Sequence, residues 1–191
     1  MHGSLGWKRN SHGTIIRTSD MNATELIYPT HLKYGQTQKY PYIALFERLR
    51  NVLQQPDSLL LTCGFSFSDL HLSTLLEEAL TANPGTAVIA FQYGKLDSEA
   101  KAVEIAMRRA NMSVYASDGA VIDCVSAAWL PGELSHEALA PARASYWGLR
   151  AASTAAGFLL GDFSDFVRYV ALTRATQIAS EPEANGKDAS T

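Results

Sequence analysis

The feature that most constrains this chain is a run of short apolar segments alternating with amphipathic ones between residues 58 and 116. Ser58–Cys63 (SLLLTC) is a compact apolar run closed by Gly64. Leu72, Leu75, Leu76 and Leu80 recur at helical spacing over about 69–82, and Asn83-Pro84-Gly85 breaks that helix. Thr86–Tyr93 (TAVIAFQY) is β-branched and aromatic, Ser98–Ala110 sets Ala102, Ile105 and Ala106 on one side, and Met112–Ala116 supplies a third strand. Strands alternating with helices predict parallel βαβ units with right-handed crossovers, so the class is α/β. Apolar runs without alternation, such as LLLTC, predict strands buried on both faces.

The flanking sequence adds helices. Pro41 suits a first helical turn, and Leu45, Leu49, Val52 and Leu53 follow at helical spacing, which predicts a helix over 41–55. Upstream, Thr14–Arg17 reads as a short strand and Leu26–Pro29 as an extended piece. Asp118 is expected to cap a helix running through Trp129, stopped by Pro131-Gly132. Residues 133–153 are Ala-rich and ambiguous. A helix is expected from about Asp162, with Phe163, Phe166, Val167 and Val170 apolar. The end of the chain has no apolar anchor and reads as disordered. The organisation expected is a nucleotide-binding part over 1–132, a helical extension over 133–178 and a tail over 179–191.

Composition narrows the function classes. Of the 191 residues, 47% are hydrophobic and 18% charged, which excludes a wholly disordered chain and a basic nucleic-acid arm. No apolar run approaches the ~20 residues a membrane helix needs, so a soluble, cytoplasmic protein is expected. The net charge of −3 selects no partner. Its distribution is uneven: seven Lys/Arg against three Asp/Glu in residues 1–55, nine against sixteen thereafter. The basic excess reads as a solvated face. Cys63 and Cys124 are too few for a disulfide framework or a cysteine zinc site, and both are expected as buried core thiols. A complete doubly wound dinucleotide enzyme uses two βαβαβ halves, and this chain accommodates about one.

In open parallel sheets, ligands bind beyond the carboxyl ends of the strands. Those ends are Gly64–Asp69, Gln92–Asp97 and Ser117–Gly119. In Gly64-Phe65-Ser66-Phe67-Ser68-Asp69, glycine allows close backbone approach, the serines offer hydroxyls, and the following helix start offers N–H groups to a phosphate. Ser68 and Asp69 fit equally a plain helix cap and a partner for the helix dipole. The G-x-G-x-x-G fingerprint, the G-x-x-x-x-G-K-[ST] loop, H-E-x-x-H and G-x-S-x-G are all absent. His12, His31 and His136 have no second ligand at metal-binding spacing and read as surface residues. His2, in Met-His-Gly-Ser, by itself fits a frayed terminus.

His2-Gly3-Ser4-Leu5-Gly6-Trp7 resembles the His-Gly-Ser segment of sirtuin-like NAD-consuming enzymes. The resemblance continues in order through Tyr28-Pro29-Thr30 with Lys33-Tyr34, Gly64–Asp69 with His71, and Leu160-Gly161-Asp162-Phe163, and it reaches to about residue 175. It implies a partial Rossmann-like, sirtuin-type sheet with flanking helices, followed by a C-terminal helical element. His2 would be the base acting on a ribose hydroxyl of NAD. Ser66, with the backbone of Gly64 and Phe65, would hold the ribose or phosphates, and Asp69 would order that loop. Asp118 and Gly119 match the place where the family meets the adenine, and Gln92 the place of an adenosine-ribose contact, where the family usually has Asn.

The departures from the family are informative. Residues 3–62 contain no cysteine, so the four-cysteine zinc ribbon of the deacylases is missing and no metal is expected. This resembles the bacterial NADase branch that serves in anti-phage defence. The expected reaction is cleavage of the nicotinamide–ribose bond to ADP-ribose and nicotinamide, which needs positioning and a nearby base more than a strong nucleophile. The family's Gly-Ala-Gly loop and Asn-x-Asp segment precede the histidine, so the chain resembles the C-terminal portion of a longer enzyme. Alone it is expected to be weak or inactive, with an N-terminal half or a partner protein completing it, and to form oligomers. The competing expectation is a non-catalytic nucleotide-binding or assembly module, and protein deacylation comes last.

Overall fold

The computed structural model describes residues 6–19, 25, 40–130, 145–149 and 156–180. The chain divides into two compact units, Met1–Ser58 and Leu59–Thr191. The boundary expected at 132–133 lies outside the described residues, as do the extended piece at Leu26–Pro29 and residues 181–191.

In the first unit, β1 (Trp7–Arg9) pairs antiparallel with β2 (Ile15–Arg17), Lys8 lying opposite Ile16. Asn10 builds the turn between them: its side-chain oxygen accepts the N–H groups of His12 at 3.0 Å and Thr14 at 2.9 Å. Arg9 then forks onto the Glu25 carboxylate at 2.9 and 3.1 Å. It also donates to the Gly13 carbonyl at 2.9 Å. Hydrogen bonding to Glu25 holds the Arg9 guanidinium above its ordinary pKa. This cation of the basic N-terminal segment stays exposed while it pairs with the buried Glu25 carboxylate. Helix α1 (Tyr42–Leu53) falls where the apolar spacing predicts it, with Tyr42 and Leu53 buried. Burial, reinforced by the Glu25 charge, pushes the Tyr42 phenol up.

The second unit is mixed α/β. Its central sheet runs β3 (Leu59–Cys63), β4 (Ala87–Phe91), β5 (Met112–Tyr115), β6 (Gly119–Ile122), β7 (Val125–Ala128) in spatial order. The first three strands are parallel and the last two antiparallel. The crossovers carry α2 (Leu70–Ala82) and, after a 3₁₀ turn at Leu96–Ser98, α3 (Ala100–Ala106). Register puts Leu60 beside Val88 and Val88 beside Met112, so these side chains share one face. Val88, Ala90, Met112 and Val114 on that face are fully buried, as are Leu76 and Leu80 of α2 and Ala102 and Ala106 of α3. Asn111 ties the layers together by donating to the carbonyls of Leu80 at 3.0 Å and Thr86 at 2.9 Å. The remaining elements are a two-stranded ribbon of β8 (Trp147–Gly148) and β9 (Gly157–Phe158), then helix α4 (Phe163–Ser180). No helix among the described residues is long and apolar enough to cross a membrane.

Four sequence expectations are corrected. The helix expected from Asp118 to Trp129 is the β6–β7 hairpin. Its two-residue turn holds Asp123 at φ 50° and Cys124 at φ 61°, the doubly left-handed geometry that matches the twist of adjoining strands. Val121, Ile122 and Val125 are β-branched, and the ladder satisfies their backbone: Val121 lies opposite Val114 of β5, and Ile122 opposite Val125 across the hairpin. The helix expected over 98–110 is reduced to α3, because the chain must turn into β5 by Met112. The run LLLTC is not buried on both faces: Leu59 is 59% and Leu61 44% exposed. Cys63 and Cys124 are correspondingly half-buried rather than core thiols.

Candidate functional site

The carboxyl ends of β3, β4 and β5 are laced together by backbone hydrogen bonds. The Gly64 N–H donates to the Phe91 carbonyl at 2.9 Å, the Gln92 N–H to Tyr115 at 2.8 Å and the Ser117 N–H to Gly94 at 2.9 Å. These bonds line up the three loops beyond the strands on one edge.

The Gly64–Asp69 loop is the most elaborately held segment there. Gly64 takes φ +63°, which lets the chain leave β3 sharply, and a methyl group on it would lie 3.3 Å from the Gly161 carbonyl. Phe67 also has positive φ, at 57°, and its ring is fully buried, 4.7 Å from that of Phe65. Ser73 of α2 donates its hydroxyl to the Phe67 carbonyl at 2.6 Å. A buried aromatic anchor thus pins the middle of the loop and leaves Gly64, Ser66 and Ser68 at the surface.

Asp69 is the N-cap of α2. Its carboxylate accepts the N–H groups of His71 at 3.1 Å and Leu72 at 3.3 Å. Of the alternatives left open by the sequence, the cap is therefore made by Asp69, not Ser68. This corrects the expectation that the helix start offers its N–H groups to a phosphate. Those donors face a carboxylate, and the negative charge stands where a phosphate would sit.

Gln92 is fully buried, and its amide donates to the Phe65 carbonyl at 2.8 Å. It supports the loop from beneath and has no exposed surface with which to meet a ribose. Behind the loop, the Cys63 thiol donates to the Leu160 carbonyl at 3.0 Å, and a side chain on Gly161 would overlap the Gln92 carbonyl. The Leu160-Gly161-Asp162 segment therefore crosses directly over the ends of β3 and β4. The family resemblance singles out Gln92 as a ribose contact, but its support of the Phe65 carbonyl carries no motif signal.

At the β5 end, Asp118 is exposed and accepts the Leu96 N–H at 3.0 Å, which fixes the turn leading into α3. Gly119 is buried, and its lack of a side chain is required by the approach of the Ala127 carbonyl and Leu96. Trp129 closes this corner by donating to the Ala116 carbonyl at 2.9 Å and stacking on Tyr115. His2 lies outside the described residues. The edge thus unites Gly64, Phe65, Ser66 and Asp69, with Asp118 and Gly119 two strands away.

A second feature lies on the sheet face opposite α2 and α3. Ile89, Phe91 and Tyr115 of the sheet, Phe158 and Leu160, and Tyr169 of α4 line a hollow of about 400 Å³. The Phe91 ring stands 5.6 Å from Phe158 and 5.8 Å from Phe166, so the wall is mostly aromatic. Among the described residues no group of three or more His, Cys, Asp or Glu comes together as metal ligands do. No protein-family model matches this chain, and no curated protein matches it.

Proposed function

We propose that this chain carries the nucleoside-binding edge of a sirtuin-like, Rossmann-type NAD⁺ hydrolase of the zinc-less bacterial defence branch. The observation that carries this reading is the Gly64–Asp69 loop, whose backbone is pinned by Phe67, Gln92 and Gly161 and whose Ser66 faces outward at the strand ends. A loop held this firmly loses little entropy on meeting a ligand. The Asp69 charge narrows the ligand. It disfavours a phosphate at the start of α2, so Ser66 and the backbone of Gly64 and Phe65 take the ribose hydroxyls, and Asp118 and Gly119 neighbour the adenine. His2 is the base that draws a proton from the ribose as the nicotinamide bond breaks, a role suited to a group that titrates near neutrality.

The test is nicotinamide release from NAD⁺ by the purified chain, alone and with an added N-terminal half of the same enzyme class. Turnover that disappears in His2→Ala supports the assignment. Hydrolysis that survives His2→Ala overturns it.

The second reading is a non-catalytic nucleotide-binding module. The observation favouring it is the occupation of the α2 start by Asp69, which leaves the described edge suited to hold a nucleoside rather than to strain a pyrophosphate. Calorimetric binding of NAD⁺ or ADP-ribose without turnover, insensitive to His2→Ala and lost in Asp69→Ala, selects it. NAD⁺-dependent deacylation of an acylated peptide would select the third reading.

A further inference from the structure

The hollow of about 400 Å³ on the open face of the central sheet takes no part in the proposed site. Two groups of rings line it. Phe91, Tyr115 and Phe158 pack on one another with centroids 5.6, 5.7 and 5.9 Å apart. Tyr146 and Tyr169 form the second group, edge to face at 5.7 Å. Among the described residues no ring of one group packs on a ring of the other. Each group therefore turns unpaired aromatic surface toward the same space, and a further ring placed there gains contacts with both.

The chemistry of the lining narrows the occupant. The polar side chains are Tyr115, Tyr146, Tyr169 and Thr173, and none of the lining residues is charged. Thr173 is already engaged: its hydroxyl donates to the Tyr169 and Val170 carbonyls, both at 3.0 Å. The three phenol hydroxyls have no hydrogen-bond partner among the described residues. An ion entering the hollow would lose hydration and meet no opposite charge. A flexible alkyl chain would give up rotamer freedom and make no ring–ring contact. The volume falls within the ~300–1,000 Å³ of small-molecule pockets, which are walled by apolar and aromatic groups with a few polar ones.

We propose that the hollow is a binding site for a small, uncharged, flat aromatic molecule that carries a hydroxyl or carbonyl group. Its rings pack on those of both groups, and a tyrosine hydroxyl answers its polar group. The site is built on the sheet face rather than on the strand-end loops, so it is independent of the nucleotide reading.

Calorimetric titration of the full chain with 2-naphthol, an uncharged two-ring phenol at neutral pH, tests it. Saturable one-to-one binding is expected. Naphthalene-2-sulfonate, which adds a fixed charge to the same rings, should bind at least ~10-fold more weakly. Ile89→Trp and Thr173→Trp fill the hollow from the sheet and from α4, and each should weaken 2-naphthol binding at least ~10-fold. Val125→Trp, at a position 65% exposed on β7, should leave it unchanged. Thr173 is half-exposed, so its variant stands even if Ile89→Trp disturbs the sheet, and circular dichroism checks that each chain folds. No saturable binding by the wild-type chain, binding unmoved by Thr173→Trp in a folded chain, or equal binding of the sulfonate would each overturn the assignment.

Discussion

The two faces of the central sheet are made from the same strands and have opposite fates. On one, Val88, Ala90, Met112 and Val114 are sealed beneath α2 and α3. On the other, Leu59 and Leu61 reach solvent and an aromatic hollow remains beside α4. The sealed face is covered by the crossover helices that parallel strands oblige the chain to make, each supplied within a few residues of its strands. The open face depends on α4, which arrives about fifty residues after β5. Local connectivity therefore furnishes the stabilising core, and the open face lacks a crossover helix of its own. The largest test of this contrast is truncation on either side. Met112→Ala should cost ~2–5 kcal/mol in urea unfolding, whereas Leu61→Ala should stay within ~0.5 kcal/mol. Equal costs would show that the open face is closed in solution and end the comparison.

That contrast also marks what the sequence made legible. The parallel core was readable because its strands are apolar runs separated by Asn83-Pro84-Gly85 and by a helical repeat of leucines, signals that do not depend on distant residues. The β6–β7 hairpin was not. Asp123-Cys124 lacks the glycine that usually announces a doubly left-handed turn, and Asp118 ahead of an apolar stretch imitates a helix cap. The exposure of Leu59 and Leu61 was hidden for a related reason. A run of leucines records that a strand is apolar but not which neighbours arrive to cover it. Between β3 and α2, the sequence located a loop at Gly64–Asp69 and offered Ser68 and Asp69 as its helix cap without choosing between them. Which residue caps α2 turns on local backbone geometry, and that Gln92 props the Phe65 carbonyl is a fact of three-dimensional proximity between residues 27 positions apart.

The loop at the carboxyl edge offers an intermediate test, because it is joined to the sealed core by two kinds of bond. Gln92→Ala removes a buried donor and leaves the Phe65 carbonyl without it, for an expected loss of ~1–3 kcal/mol. Asp69→Ala strips a surface cap and should cost ~1 kcal/mol. The two variants separate support from contact. If the loop is the nucleoside cradle, Gln92→Ala should weaken NAD⁺ binding by calorimetry although its side chain never touches ligand. Full retention of binding in Gln92→Ala would detach the site from the core beneath it.

The smallest effect is expected on the solvent side of the sealed face, where ion pairs lace α2 and α3. Arg108 donates to Glu104 at 2.7 Å and to Glu77 at 2.9 Å, and Lys101 reaches Glu104 at 3.2 Å. Hydrogen bonding from Arg108, then from Lys101, holds the Glu104 carboxyl below its ordinary pKa. A carboxyl whose folded pKa is depressed contributes stability that is fully present above its unfolded value, ~4.3, and is lost as pH falls through the lower folded one. The contribution should therefore be constant at neutral pH and be lost as pH falls through the lowered folded value. Because these groups are exposed, water and salt screen them, and the loss should be slight beside that of Met112→Ala. Glu104→Gln should flatten this part of the acid limb in urea titrations and leave the neutral plateau nearly unchanged. A drop at neutral pH comparable to that of the core truncation would mean that charge, rather than the buried apolar layer, holds the helices on that face.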